Sequence, residues 1–560
     1  MAAPVNIAAD TSSPDALALQ GELCLAQGDI QKAADHYALA IKADPANPAL
    51  KSRFIELAAF ITVSCPHPEM EAALFACLSS PEVDCSEARA LWQQILMQDP
   101  DFSKIYKHST AGGVATFDRD AFGKANWQPL LNPFFLCGLR KVTVYSFPFE
   151  EFLTHLRLWL LDTCGTEPSK PMRAEVAGIA EALAHYCQST EYIFATTQDE
   201  MRKIAELRHL LETDDEVMND PCAIAIYACY APLWELKTAE KIAKLHAGGP
   251  AAGLIKAQIA DHAALERRKE GVAALTEIRD ALSLKVQAQY EEFPYPCWTG
   301  FAKVAPEKEE RALRGKKAQI LVAGCGTGRE AITLASAFPD SEILAVDLSR
   351  ASLAYAAGRA EDFGIGNVTF RQADILHLGV IGRTFDLVSS SGVLHHMADP
   401  LEGWAVLRGI LKPGGYMRVG LYSRLARRFI AEARRAVAAN SYLPNVESMK
   451  AFRARSPKIL RKQTMQDITH RGDYYHLSMY RDMLFHVREH SFDIPGIAGA
   501  LQQLGLEFLG FGFNTGIPES YRAKYPSDPV GASLDNWHAF EKENPDTFSH
   551  MYHIWCREKA

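Results

Sequence analysis

An apolar run, Ile320 to Ala323, leads directly into three glycines at alternate positions, Gly324, Gly326 and Gly328. No other feature of this 560-residue chain restricts its fold as far. Four consecutive apolar residues read as a parallel strand buried on both faces. Glycine then lets the backbone turn sharply and lets a ligand lie against it. A helical pattern follows from Glu330 to Phe338, and a second apolar strand, Ile343 to Val346, ends in Asp347. A carboxylate at the tip of the second strand of a βαβ unit is placed to accept bonds from ribose hydroxyls. The dinucleotide form of such a loop carries its third glycine one position later, where this chain has Arg329.

Four further signatures follow in order. A third strand, Val368 to Gln372, is followed by Ala373-Asp374-Ile375. Phe385-Asp386-Leu387-Val388 reads as a fourth strand running into Ser391-Gly392-Val393-Leu394-His395-His396. Leu411-Lys412-Pro413-Gly414-Gly415 forms a turn before a fifth strand, Tyr416 to Tyr422. Together these resemble the class I S-adenosylmethionine methyltransferases. The resemblance implies a mostly parallel, seven-stranded α/β Rossmann-like sheet whose last strand is antiparallel. It also implies S-adenosylmethionine as cofactor, held by Gly324, Cys325, Gly326 and Gly328, by Asp347 and Leu348, by Asp374 and Ile375, and by Ser391. In that family the residue corresponding to Asp374 faces the adenine amino group.

Length and composition bound the remainder. A chain this long exceeds one hydrophobic core and divides into domains. A net charge of −9 gives no overall nucleic-acid footprint, and no apolar run approaches the length of a membrane span. Met1 to Pro14 lacks the basic start and apolar core of a signal peptide. The twelve cysteines are scattered without paired spacing, and several lie in apolar runs, as Cys77, Cys222 and Cys229 do. Reduced thiols in a cytoplasmic protein account for that better than disulfides or a metal centre, and no metal is expected.

Three parts are expected. Residues 1–51 hold a hairpin that looks like one tetratricopeptide (TPR) unit: Leu17, Gly21, Cys24 and Leu25 on one helix face, a turn at Gly28-Asp29, and Ala33, Tyr37 and Ala40 on the next. One such unit cannot bury its own faces, so it either docks on the next domain or has degenerate neighbours. Residues 52–282 are helical in periodicity nearly throughout. An all-α region of this kind is a natural surface for a peptide or protein partner, or for dimerisation. Its histidines, His155, His185, His209 and His246, have no metal-ligand spacing.

Residues 283–560 form the methyltransferase-like part, and just ahead of its first strand lies Tyr290-Glu-Glu-Phe-Pro-Tyr-Pro-Cys-Trp298. This segment resembles one in bacterial proteins that join TPR-like helices to a methyltransferase domain. Tyr290, Tyr295 and Trp298 are candidates either for a lid over the cofactor or for an aromatic plug at the junction. After strand five, residues 424–492 read as an insertion. A helix at Ile494–Leu504, strands at Leu506–Phe513 and Met551–Glu558, and a long loop between them complete the sheet. Ligands bind outside the carboxyl ends of such strands, so the insertion is expected to build the acceptor pocket. Residues 424–471 carry twelve arginines and lysines against Glu432, Glu447 and Asp467. With few aromatics interleaved, this favours an acidic acceptor or anionic partner over nucleic acid.

Catalysis by such a domain is mainly positioning and desolvation, with a base where the acceptor carries a proton. His395 and His396, after strand four, are the leading candidates for that base, or they shape the site. Asp482, His486 and Glu489 share a helix face. Asp482 and His486 are either pocket groups or part of a structural ion pair, and the string His486-x-x-Glu489-His490 also matches an inverted zinc-peptidase signature. The leading expectation is methyl transfer to a peptide or protein recruited by the helical half. The alternatives are a small-molecule acceptor and a scaffold that binds S-adenosylmethionine without turnover.

Overall fold

The computed structural model describes residues 13–110, 127–164, 170–292, 294, 297, 298, 300, 307–513 and 516–559. Tyr295 lies outside them. Two compact units emerge: Met1–His262 with Thr469–Leu477, and Ala263–Ile468 with Ser478–Ala560.

The first unit is helical. Ser13 caps the helix Pro14–Ala26 and Asp29 caps Ile30–Ala43, each through its side-chain oxygen. The Tyr37 ring fills the space that a side chain at Gly21 would need, with ring carbons 2.7 Å from the ideal Cβ position. This hairpin packs on the helices Pro48–Ala58 and Pro68–Leu78. It therefore shares one unit with residues 52–262 instead of standing as a separate domain ending at residue 51. Buried aromatics, among them Trp92, Phe102, Phe135, Phe149 and Phe152, form part of its core.

The second unit is built on seven strands: β1 (Gln319–Ala323), β2 (Glu342–Asp347), β3 (Val368–Gln372), β4 (Phe385–Ser391), β5 (Leu411–Leu421), β6 (Leu506–Phe511) and β7 (Tyr552–Glu558). Their order is β3-β2-β1-β4-β5-β7-β6, parallel from β3 to β5, with β7 antiparallel to both neighbours. Alternation along β1 sends Leu321 and Ala323 into one core layer and Ile320 and Val322 into the other. Buried on both faces, the central strands can be continuously apolar.

Two boundaries differ from expectation. The Lys412-Pro413-Gly414-Gly415 turn lies within β5 as a register break, where pairing jumps from Phe385–Leu411 to Leu387–Tyr416. This unit also starts upstream of Ser283, because Ala273 to Leu275 add to the outer edge of β3: Gln372 N–H donates to Ala273 O and Leu275 N–H to Gln372 O. The insertion after β5 is helical (Arg428–Ala439, Val446–Ile459, Lys462–Thr469, Leu477–Phe485). Several of its cations pair with acids from beyond it or its far end, as Arg424 does with Asp493, Arg427 with Glu489 and Arg428 with Asp546. Among the described residues, no helix is long and apolar enough to cross a membrane.

Candidate active site

The turn after β1 folds tightly back on β2. Gly324 and Cys325 N–H both donate to Val346 O, and Gly326 N–H donates to Asp347 Oδ2 at 2.8 Å. Ser349 N–H donates to Asp347 Oδ1 at 2.9 Å. Burial pushes the Asp347 carboxyl up from its ordinary range, and these backbone donors only partly offset it. Gly328 has φ +83°, and a Cβ there would sit 2.5 Å from Ala356 Cβ. It caps the helix Arg329–Ala337 from behind the turn and does not line the cavity at the carboxyl edge of the sheet.

That cavity, of about 310 Å³, opens at the carboxyl ends of β1, β2 and β4. Gly324, Cys325, Gly326, Asp347 and Leu348 line one end, with Asp374, Ile375 and Ser391 beside them and Tyr290 above. Asp374 is 2% exposed; its Oδ1 accepts from Leu376 N–H at 3.0 Å, and its Oδ2 is buried without a partner. Ser391 Oγ is likewise buried and unpartnered. A lone carboxylate oxygen facing a cavity calls for a ligand donor, and the amino group of an adenine supplies one. Asp347, at the strand tip, lines the same cavity and offers a carboxylate acceptor of the kind ribose hydroxyls bind. The donor set fits S-adenosylmethionine.

The helix Ala281–Glu292 covers this cavity, and sequence reasoning recognised only Tyr290 on it. Asp280 caps it by accepting from Leu282 and Ser283 N–H, and Leu282, Val286 and Tyr290 line the cavity at i, i+4 and i+8. That spacing was the available signal. Glu291 caps the next helix, Arg350–Asp362, accepting from Arg350 and Ala351 N–H at 2.6 and 3.3 Å. Trp298 behaves differently. Its indole N–H donates to Thr327 O at 3.0 Å and its ring stacks on Phe363 in the core layer behind the sheet, so it is a plug and not a lid.

The far end of the cavity is lined by His396, Met397, Tyr422, Asp482 and Met551. Tyr290 O–H donates to Asp482 Oδ1 at 2.6 Å. His396 Nδ1 lies 2.8 Å from Arg488 O, an atom that only accepts, so Nδ1 carries the proton and Nε2 keeps its lone pair. Burial holds His396 below the usual imidazole range, so the ring is neutral at neutral pH. Burial works to raise the Asp482 carboxyl, but His396, His486 and the Tyr290 bond outweigh it and keep the group ionised.

Like Gly328, two histidine candidates do not line the cavity. His395 is fully buried beneath the Tyr422 ring, 3.9 Å between centroids, because successive residues of the short turn Leu394–His396 point in different directions. His486 stacks behind His396 at 3.7 Å and 28° between planes, with burial bringing it down to about 3.

His396, Asp482 and His486 place ligand-type atoms within 4.8 Å of one another. The hydrogen bonds argue against a cation there. His486 Nδ1 accepts from Arg488 N–H at 3.1 Å, which uses the only lone pair of that neutral ring. The two stacked imidazoles also hold their lone pairs in nearly parallel planes, which do not converge on one ion. The zinc-peptidase reading fails on similar grounds, since Glu489 is committed to Arg427 at 3.1 and 2.8 Å.

Residues 314–471 match the family model described as a methyltransferase domain. Over 252 residues the chain is 29% identical to an uncharacterized protein of Synechococcus sp., covering 41% of this chain and 60% of that protein. Over 120 residues it is 35% identical to trans-aconitate 2-methyltransferase of Deinococcus radiodurans, covering 21% and 44%. PKMT2 from Rickettsia typhi in complex with AdoHcy overlaps at a TM-score of 0.34 and 17% identity, over 50% of this chain and 52% of that one. The chain thus spans 60% or less of the length of these relatives.

Proposed function

We propose that the chain carries a class I methyltransferase domain, with S-adenosylmethionine as its cofactor, and that it methylates a peptide or protein partner recruited by its helical unit. The observation that carries methyl transfer is one continuous cavity, with Asp347 and Asp374 at one end and a neutral imidazole beside an ionised carboxylate at the other. S-adenosylmethionine supplies an electrophilic methyl group when bound. Asp374 and Asp347 fix the adenosyl end, and the helix Ala281–Glu292 closes over it and excludes water. His396 Nε2 takes the proton that an acceptor must lose, and Asp482 stabilises the imidazolium that results. Tyr290 holds Asp482 in place. This pairing at the cavity speaks for turnover and against a scaffold that only binds the cofactor.

The chain commits nearly half its length to a helical unit, which supports a macromolecular acceptor. Trans-aconitate 2-methyltransferase is named for a small acceptor, and a cavity of about 310 Å³ is on the scale of small-ligand sites, so a small-molecule acceptor is the second reading. Incubating the full-length protein with methyl-labelled S-adenosylmethionine and a cell lysate, then separating large from small molecules, decides between them. Label in the macromolecular fraction supports the proposal. Label only in the small-molecule fraction overturns the choice of acceptor, and no label above a cofactor-only control overturns methyl transfer.

A further inference from the structure

The sign of the charge around this cavity is uniform. Among the described residues its lining includes Asp280, Asp347, Asp374 and Asp482 but no lysine or arginine. Asp280 is taken up in capping a helix, and Asp347 and Asp374 face the adenosyl end, which leaves Asp482 and neutral His396 for an acceptor. Guanidinium groups on the surrounding elements are already engaged. Arg427 lies over the Tyr422 ring at 3.6 Å and forks onto Glu489, Arg434 bonds His486 O at 2.8 Å, and Arg481 pairs with Glu292.

An acceptor carboxylate or phosphate would therefore be desolvated beside Asp482 with no cationic side chain among the lining residues, a costly arrangement. A neutral hydroxyl would satisfy His396 and leave the Asp482 charge unanswered. A protonated amine answers both, bringing N–H donors to the carboxylate and to the Nε2 lone pair, and a cation to the ring of Tyr290. We infer that the acceptor is a protonated amine and that the domain is an N-methyltransferase. The basic insertion does not select an acidic acceptor at this site. The inference rests on methyl transfer as the reaction of this same cavity. The ammonium proton passes to His396 Nε2, and the freed nitrogen lone pair forms the N–CH3 bond as the S–CH3 bond breaks. The bonding pair stays on sulfur in S-adenosylhomocysteine, and the imidazolium, held by Asp482, returns its proton to water.

Two measurements on the full-length protein test this. In the first, protein saturated with S-adenosylhomocysteine is titrated with n-butylamine, n-butanol and butyrate and followed by saturation-transfer NMR. Butylamine should bind at least about tenfold more tightly than either, and Asp482→Asn should erase that preference. Equal or tighter binding of butyrate or butanol, or an unchanged preference in Asp482→Asn, overturns the inference. In the second, the lysate is acetylated at its amines before labelling, which requires no variant to fold. Loss of the label, with the untreated label stable to alkali, supports an amine. Label that survives acetylation, or that alkali releases as methanol, overturns it. Absence of methyl transfer shows separately in the untreated lysate, while the titration still decides the amine preference.

Discussion

Replacing Asp374 with alanine should separate cofactor affinity from fold stability. In the unliganded protein this carboxylate is 2% exposed, with one oxygen bonded to Leu376 N–H and the other bonded to nothing. A hydrogen bond from the adenine amino group to a charged acceptor contributes about 1.5–3 kcal/mol. The substitution should therefore raise the Kd for S-adenosylmethionine by about tenfold to about 150-fold. Stability responds differently. Removing the unpartnered oxygen relieves a desolvation cost of about 1–3 kcal/mol, while losing the bond to Leu376 forfeits about 1 kcal/mol. These terms oppose one another, so the unliganded protein should melt within about 4 °C of the parent. Titration calorimetry and calorimetric melting on the same samples read both quantities. A Kd within about threefold of the parent refutes the adenine assignment. A fall of more than about 10 °C in the unliganded melting temperature would instead make Asp374 a structural group.

Gly328→Ala forces an alanine to φ +83° against Ala356 and should destabilise the fold by more than about 2 kcal/mol in urea titration; an unchanged midpoint would show that the turn tolerates a side chain. Trp298→Ala empties a buried indole site and should cost about 3–5 kcal/mol, yet leave cofactor affinity of the folded protein intact, whereas a selective loss of affinity would restore Trp298 as a lid. Burial brings His486 to about 3, so between pH 6.5 and 3 the unfolded chain binds a proton that the folded one does not. Stability should therefore rise with pH through that window, and His486→Gln should flatten the slope in chemical denaturation measured from pH 4 to 7, by at most about 1.4 kcal/mol per pH unit; identical slopes would contradict the burial argument.

That Gly324, Asp347 and Asp374 would meet at the carboxyl edge of the sheet was legible in sequence because each position is set locally. Gly324, Gly326, Asp347 and Asp374 each lie at or just past the end of a strand, and a strand in a βαβ unit fixes which residues reach the carboxyl edge. Strands β6 and β7 were placed through the resemblance, whose family ends in a helix and an antiparallel strand pair. The opposite end of the cavity was not legible, because its contacts span the chain. Tyr290 meets Asp482 across 192 positions, and His396 meets the Arg488 carbonyl across 92. Periodicity placed Asp482, His486 and Glu489 on one helix face, but the helix ends at Phe485, and His486 beyond it stacks behind His396 while Asp482 reaches the cavity. The count of charges in the basic insertion missed pairs of the same long range: the acids that answer Arg424 and Arg428 lie outside the counted segment. The early start of the domain was hidden because Ala273 to Leu275 pair with β3 at a single bridge, too short for an alternating pattern.

A structure of the full-length protein bound to S-adenosylhomocysteine tests the central claim most directly. The account predicts the adenine amino group on Asp374 Oδ2, the ribose hydroxyls on Asp347, and the sulfur directed toward His396 and Asp482 beneath Tyr290. A ligand whose sulfur points away from that pair, or lies more than roughly 15 Å from it and so beyond direct or one-water reach, would contradict the account and leave His396 and Asp482 as structural groups.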